Sequence, residues 1–284
     1  MVRMDGKICV VTGATSGIGR VTARELARRG ARLVLTTRDD AKAQAVTAEL
    51  KAARPDVQVD WVRADLSLMR EVVRAAAEIR SRVDRIDVLV NNAGAIFTER
   101  EVTAEGLERT FATNHLSYFV LTRELREVLV QSAPSRIVNV ASDAHRRATM
   151  KWDDLQHERG YMSYRVYGQS KLANILFTRE LSRRLEGTGV TANSLHPGVV
   201  ATGFGKNTPG VFRFAVQLLS PLFISPEKGA QTTLYLATSP EVQGVSGKYF
   251  AKSREAKSSR EARDDAAAKR LWDESERLLA RLGV

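Results

Sequence analysis

The chain has a single cysteine, Cys9, among its 284 residues, so no disulfide can form within it. Such cysteine usage is typical of a reducing compartment. No stretch approaches the ~20 uninterrupted apolar residues that a membrane-spanning helix needs, and the first residues carry no apolar signal segment. We therefore expect a cytoplasmic protein without a transmembrane segment.

Other patterns are missing as well. The histidines and the cysteine lack the spacing of zinc ligands, so no metal site is predicted. No internal repeat or linker-like stretch interrupts the chain, and residues 1–284 are predicted to form one domain. The net charge is +11, but basic and acidic residues are interleaved. Interleaving favours a solvated basic surface, and we expect no nucleic-acid partner.

The chain does contain a regular alternation of apolar strands and helical patterns. This alternation predicts an α/β fold: a Rossmann-type, doubly wound parallel sheet of about seven strands with helices on both faces. The first strand pattern is followed by Thr12–Gly19 and then by a helical pattern. Glycine at positions 13, 17 and 19 allows a tight turn and close backbone approach to a pyrophosphate. An ordinary helix-entry turn is the alternative, because three glycines alone are weak evidence.

Candidate cofactor residues follow the next strand ends. The second strand pattern ends at Thr37-Arg38 without the carboxylate that would bind a ribose 2′-hydroxyl, which favours NADP over NAD. Asp65, at the end of the third, is compatible with a hydrogen bond from adenine or with capping of the following helix, and both interpretations stay open. Asn91–Gly94 follows the fourth; it suits either backbone contact with the adenine ribose or a plain turn.

The candidate reactive residues come later in the chain. Asn114 is the one polar member of an apolar helical face, so it is either braced structurally or holds water near a reactive group. Ser142 stands at the carboxyl end of the fifth strand pattern, where ligands of such sheets bind. Tyr167 and Lys171 are four residues apart and share one face of the helical pattern that Tyr167 opens.

The last third of the chain carries two further features. Residues 205–226 are rich in apolar side chains, and we interpret them as a flap over a substrate pocket, with ordinary core or oligomer contact as the alternative. Residues 258–282 have the pattern of a charged amphipathic helix. The predicted substrate-pocket residues are Phe212, Phe214 and Leu218.

Taken together, these motifs resemble the short-chain dehydrogenase/reductase family over nearly the full chain. The glycine loop, Asn91–Gly94, Asn114, Ser142 and the Tyr167–Lys171 pair occur in that family's order. The glycine spacing is that of the single-domain branch. Within it, the stretch from Tyr167 onwards and the His-Pro-Gly-Val-Val stretch that begins at residue 196 are similar to retinol dehydrogenases and their bacterial relatives.

The resemblance implies hydride exchange between NADP(H) and a carbonyl carbon, with Tyr167 as general acid/base. Ser142 would orient the substrate oxygen, Lys171 would favour the phenolate and bind the nicotinamide ribose, and Asn114 would hold a water. The implied cofactor residues are Gly13, Thr15, Ser16, Gly17, Ile18, Gly19, Arg38, Asp65, Leu66, Asn92, Ala93, Gly94, Tyr167, Lys171, Pro197, Gly198, Val200 and Thr202.

The substrate class and assembly are less closely defined by the motifs. A lipophilic alcohol, aldehyde or ketone is the expected substrate, and a homodimer or homotetramer is expected through the long helices near 103–131 and 161–187. Two alternatives remain open: a reductase of a carbon-carbon double bond, and a non-catalytic NADP(H)-sensing protein. The intact Ser142, Tyr167 and Lys171 argue against the second.

Overall fold

The computed structural model describes residues 2–198 and 224–284. Its centre is one eight-stranded sheet in the order β3-β2-β1-β4-β5-β6-β7-β8, parallel except for the last pair. The strands are β1 (Ile8–Val11), β2 (Arg32–Thr37), β3 (Val59–Arg63), β4 (Val88–Asn91), β5 (Ser135–Val140), β6 (Val190–His196), β7 (Tyr249–Ala251) and β8 (Arg254–Glu255). The predicted fold class is confirmed. The two-residue β8 is too short to show any pattern in the sequence.

The helices of the described ranges lie between these strands or after the last of them and pack around the sheet. They are α1 (Gly17–Arg28), α2 (Asp40–Ala53), α3 (Met69–Arg82), α4 (Arg109–Phe111), α5 (Ser117–Gln131), α6 (Ser163–Arg184), α7 (Pro226–Thr238) and α8 (Asp265–Arg281). A π-helical turn, Ala112–Leu116, joins α4 to α5. Helix α6 begins at Ser163, one turn before the start that the sequence pattern indicated at Tyr167.

Alternating strand residues fill two separate cores, one on each face of the sheet. Val10 faces the core that α3, α5, α6 and α8 cover, whereas its neighbours Cys9 and Val11 face the core beneath α1 and α7. This alternation follows from the two-residue period of a strand. Because both faces are covered, the strands read as continuous apolar runs, which is why the sequence revealed them.

Helix α8 closes the face formed by α5 and α6. Trp272 lies 4.7 Å from the Phe119 ring and 5.9 Å from the Phe177 ring, measured between centroids. The guanidinium of Arg184 lies 4.2 Å from the centre of the same tryptophan ring. The predicted helix at 258–282 begins later than its pattern indicated, since Asp264 caps α8 by accepting a hydrogen bond from the Ala267 amide.

Candidate active site

A cleft of about 840 Å³ lies at the carboxyl ends of the parallel strands. In the sheet, β2 and β3 lie on one side of β1, and the chain then continues with β4 on its other side. Doubly wound sheets bind their ligands at this point, where the strand order reverses. The described cofactor candidates that line it are Gly13, Thr15, Ser16, Gly17, Ile18, Gly19, Arg38, Asp65, Leu66, Asn92, Ala93, Gly94, Tyr167, Lys171, Pro197 and Gly198. Val200, Thr202, Phe212, Phe214 and Leu218 lie outside the described residues, with most of segment 205–226.

The loop after β1 exposes backbone to this cleft at its glycine positions. Gly13 has a φ of +66°, and a Cβ on it would lie 2.9 Å from the Cα of Ala93. A Cβ on Gly19 would collide with the Gly13 carbonyl. Ser16, the residue that precedes α1, makes no side-chain capping bond, so the first amides of the helix have no side-chain partner there. A bare loop at a helix amino terminus fits a pyrophosphate.

Thr12 fastens this loop to the turn after β4. Its hydroxyl accepts hydrogen bonds from the amides of Asn92, at 2.9 Å, and Ala93, at 3.0 Å. The Asn92 side chain donates in return to the Thr12 carbonyl at 2.8 Å. Sequence reasoning named Thr12 only as the first residue of the loop, because a threonine hydroxyl reveals its partners only once the strands are paired.

The end of β2 presents Arg38 to the cleft. Thr37 forms a tight turn with Asp39, with a 2.9 Å bond in each direction, and the turn directs Arg38 away from the strand. The guanidinium, 62% exposed, lies 3.6 Å from a carboxylate oxygen of Asp65. The other Asp65 oxygen accepts from the amide and hydroxyl of Ser67, at 2.9 and 2.8 Å. Asp65 therefore stabilises the turn before α3 and also lines the cleft.

At the opposite end of the cleft, α6 brings Lys171 beneath Tyr167. The Lys171 ammonium donates to the Val140 carbonyl at 3.0 Å and lies 5.6 Å from the centre of the Tyr167 ring. Burial lowers the pKa of Lys171 to about 7. Burial likewise raises the pKa of Tyr167 to about 12, while a hydrogen bond with Ser142 acts to lower that pKa. Both shifts favour the uncharged forms.

Asn114 lies in the π-helical turn and is fully buried. Its amide oxygen accepts from the Ala95 amide at 2.8 Å, and its nitrogen donates to the Ala95 carbonyl at 2.8 Å and to the Ser170 hydroxyl at 3.0 Å. The two N–H groups of this side chain are thereby used. Because a Cβ on Gly94 would lie 3.2 Å from both Asn114 and Lys171, the turn after β4 touches both residues. These bonds brace the Asn114 side chain, and its role in holding a water stays a prediction.

Sequence reasoning missed part of the cleft wall. These residues are Thr36, Thr37, Ala64, Ala95, Ile96, Phe97, Thr113, Val140, Ala141, Asp143, Ala144, Arg146, Arg147, Tyr164 and His196. Several are direct neighbours of a predicted residue in the chain, and that adjacency was the available signal. Ala95–Phe97 continue the turn after β4, and Asp143–Arg147 form a 3₁₀ turn after Ser142. The amide of Asp143 donates to His196 at 3.2 Å, which joins the ends of β5 and β6.

The comparison with protein families identifies this arrangement. A family model described as short chain dehydrogenase matches residues 7–210, which include the glycine loop, Ser142, Tyr167 and Lys171. The chain belongs to the short-chain dehydrogenase family. This family membership supports the general assignment as an oxidoreductase that uses a nicotinamide cofactor.

Known proteins of similar sequence extend over nearly all of this short-chain dehydrogenase. Retinol dehydrogenase 14 of Mus musculus is 44% identical, with 96% of this chain and 86% of that protein covered. Retinol dehydrogenase 13 of Homo sapiens is 43% identical, with 97% and 85% covered. The sequence prediction of a retinol dehydrogenase-like family member is confirmed.

Solved structures show the same fold. The crystal structure of an uncharacterised protein from Mycobacterium paratuberculosis matches with a TM-score of 0.79 at 32% identity, covering 99% of this chain and 96% of that one. The NADP active-site complex of Pseudomonas aeruginosa RhlG matches with a TM-score of 0.71 at 27% identity, covering 87% and 95%.

Two features are absent from residues 2–198 and 224–284 of this short-chain dehydrogenase. No group of three or more histidine, cysteine, aspartate or glutamate side chains is arranged to hold a metal ion there. Over the same ranges, every helix is too short or too polar to span a bilayer.

Proposed function

We propose that this protein is an NADP(H)-dependent oxidoreductase that interconverts lipophilic aldehydes or ketones and their alcohols. The observation that carries the proposal is the meeting of Ser142, Tyr167 and Lys171 at the carboxyl end of β5, in one cleft with the glycine loop. The similarity to retinol dehydrogenases supports an alcohol or carbonyl substrate. Ile96 and Phe97, which line the cleft after Gly94, support an apolar one.

The shape of the cleft supports a dinucleotide. Its glycine loop has no space for a side chain at Gly13 or Gly19, and the start of α1 faces the same opening, so the loop would hold the pyrophosphate. Arg38 would hold the 2′-phosphate, Lys171 the nicotinamide ribose, and the residues after β6 the carboxamide. When bound, NADPH supplies a hydride to the carbonyl carbon, and NADP⁺ accepts one from the alcohol.

Side chains of the protein itself transfer the proton and orient the substrate oxygen. During reduction, Tyr167 donates its phenolic proton to the substrate oxygen, and its raised pKa keeps that proton in place at neutral pH. Ser142 donates a hydrogen bond to the same oxygen and so holds the carbonyl against Tyr167. During oxidation, the phenolate of Tyr167 accepts the proton of the alcohol.

Lys171 and Asn114 support this proton transfer. A positive Lys171 beneath the Tyr167 ring stabilises the phenolate, which lowers the cost of the oxidation direction. Asn114 fixes the turn that carries Gly94 and Ala95 against Lys171. One lone pair of its amide oxygen remains available for a water that returns protons from solvent.

The test is an NADPH-oxidation screen over straight-chain aldehydes, ketones, enones and quinones of graded length. We expect carbonyl reduction, with kcat/KM rising up to about fourfold per added methylene until the pocket is full. Tyr167→Phe should lower kcat by ~10²–10⁴-fold with NADPH affinity nearly unchanged. Tyr235→Phe, which removes a surface hydroxyl bonded to Glu241, is the matched control and should retain wild-type turnover.

Four results would count against the proposal. Reduction of enones only at the carbon-carbon bond would favour the other reductase, and NADPH binding without any turnover would favour a sensor. A chain-length series without any rise in kcat/KM would exclude a lipophilic specificity. Retention of most of the rate by Tyr167→Phe would remove the assigned acid/base.

A further inference from the structure

His145 has no part in the mechanism above, yet it is fully buried three residues after Ser142. It lies in the 3₁₀ turn Asp143–Arg147, for which Ser142 is the N-cap. A polar ring in such a position must have both of its nitrogens satisfied. Its two partners therefore indicate what it does.

The two ring nitrogens bond to different parts of the chain. Nδ1 lies 2.6 Å from the Ser142 carbonyl oxygen, and Nε2 accepts from the Ser259 amide at 3.1 Å. A carbonyl can only accept and a backbone amide can only donate. The ring is therefore neutral with its proton on Nδ1, which agrees with the direction in which burial shifts its pKa, downward.

The Ser142 carbonyl receives two hydrogen bonds from this one residue. The second comes from the His145 amide at 3.2 Å. Two donors fix the plane of the peptide that follows Ser142, and the backbone of Ser142 itself is extended, with φ −164° and ψ 154°. Its hydroxyl is held as well, because it accepts from the Ala144 amide at 3.2 Å.

Further contacts join the same turn to β7 and to the segment after β8 that carries Ser259. Arg146 donates to the Lys257 carbonyl at 2.9 Å, and the Tyr249 hydroxyl donates to Asp143 at 3.0 Å. The His145 ring packs edge-on against Tyr249, with 5.0 Å between centroids. The residues after β8 therefore pack against the turn Asp143–Arg147, and the His145 ring links them to Ser142 itself.

We propose that His145 is a positioning residue that fixes the Ser142 hydroxyl by joining the Ser142 carbonyl to the Ser259 amide. Substrate orientation then depends on a segment that follows β8 and does not line the cleft. The inference rests on the proposed function, because it gives Ser142 the role of orienting a carbonyl.

Two substitutions of His145 each remove one of the two hydrogen bonds that its ring makes. His145→Asn retains a donor at the place of Nδ1 but loses the acceptor for Ser259. His145→Gln has an acceptor near the place of Nε2 but loses the side-chain donor to Ser142, while the backbone amide of residue 145 remains. His157→Asn is the matched control: His157 is also buried, does not line the cleft, and has a φ of 50° that asparagine tolerates.

Steady-state reduction of an aldehyde, NADPH titration and melting curves would be measured for each variant, alone and combined with Ser142→Ala. Both His145 variants should lose roughly tenfold to 10²-fold in kcat with NADPH affinity unchanged, because a small misplacement of an orienting group is enough. In the Ser142→Ala background they should cause no further loss. His157→Asn should lower the melting temperature without lowering kcat.

The outcomes separate this inference from the proposed function. If wild-type protein and Ser142→Ala do not differ in turnover, the proposed function fails. If they differ but either folded His145 variant keeps wild-type kcat, only the role of His145 fails. Equal losses in the wild-type and Ser142→Ala backgrounds would also overturn it, since His145 would then act independently of Ser142.

Discussion

Lys171 has no acidic partner within residues 2–198 and 224–284, and only 3% of it is exposed. Burial lowers its pKa from 10.5 to about 7 in the folded protein. Between those values the unfolded chain keeps the proton and the folded protein releases it. The free energy of unfolding therefore rises with pH across that window. Below about pH 7 both states hold the proton, and the full cost of burying a charge is present.

This linkage predicts the behaviour of Lys171→Met without cofactor. The variant should be more stable than wild type at pH 6.5, by an amount that shrinks by roughly 1 kcal/mol per pH unit as the pH rises toward 9.5. Urea unfolding at several pH values measures the difference. The control is Lys51→Met on the exposed side of α2, which measures the effect of replacing a lysine by methionine outside the core. A pH-independent difference for Lys171→Met would contradict the assignment.

Arg38 carries the predicted preference for NADP. Arg38→Asp should reverse the preference, because it removes the guanidinium and places a carboxylate where a 2′-phosphate would lie. Paired titrations with NADPH and NADH measure the ratio. Arg63→Asp is the control for charge alone: Arg63 ends the neighbouring β3, is 72% exposed and does not line the cleft. Equal affinity of the wild-type protein for both cofactors would end this prediction.

At the residue scale, sequence reasoning succeeded where a residue's type and its position at a strand end both point to one chemistry. Ser142, Tyr167 and Lys171 are such cases, and all three line the cleft. It assigned no role to Thr12 or His145, because the backbone partners of Thr12 and one of the two partners of His145 lie far away in the chain. Such contacts exist only after the strands have been ordered.

At the scale of elements, an added side chain would affect the glycine loop and the turn after β4 in different ways. A Cβ on Gly19 would meet backbone, the Gly13 carbonyl, which cannot move without opening the loop. A Cβ on Gly94 would meet side-chain atoms of Asn114 and Lys171 at 3.2 Å. The first position governs the shape of the phosphate loop, and the second governs the surroundings of the reactive lysine.

Two alanine substitutions test this division. Gly19→Ala should weaken NADPH binding at least tenfold, with a stability loss of ~1–3 kcal/mol from overpacking. Gly94→Ala should bind NADPH with a smaller loss but reduce kcat. Fluorescence titration and steady-state kinetics on both proteins provide the comparison, and each variant is the control for the other. The same pattern of losses in both would show that the two elements act as one.

The elements themselves were largely predictable because most strands are buried on both faces and so form apolar runs. The π-helical turn at Ala112–Leu116 was not, since its residues fit an α-helical pattern equally well. The start of α6 at Ser163 was missed because the first turn of that helix is polar and half-exposed. Hydrophobic periodicity indicates which residues are buried, so it does not reveal the part of a helix that extends beyond the core.

At the scale of the whole molecule, α8 changes the argument about assembly. The sequence prediction of a homodimer or homotetramer rested on surplus apolar surface on the two long helices. In the structure, Phe119 and Phe177 of those helices pack against Trp272 of α8 in the same chain. This packing covers part of the apolar surface on which the prediction rested. The oligomeric state stays a prediction.

Trp272→Ala tests what α8 covers. Loss of a partly buried tryptophan should cost about 3 kcal/mol of stability and uncover the Phe119–Phe177 pair. We expect light scattering to show a larger mass for the variant than for the wild type, and calorimetry to show a lower melting temperature. Trp61→Ala, on the other side of the sheet against α2, is the control for losing an indole. Equal masses for Trp272→Ala and wild type would mean that the uncovered face is not adhesive.

The position of α8 in the chain has a consequence during biosynthesis. Helices α5 and α6 leave the ribosome well before α8, since it follows them in sequence. Until α8 emerges, the aromatic rings of Phe119 and Phe177 lack their cover, although the sheet beneath them can already assemble. The nascent chain therefore presents an adhesive apolar face that the finished protein hides. This interval is when a holding chaperone would be most effective, and translation that stalls before α8 would prolong it.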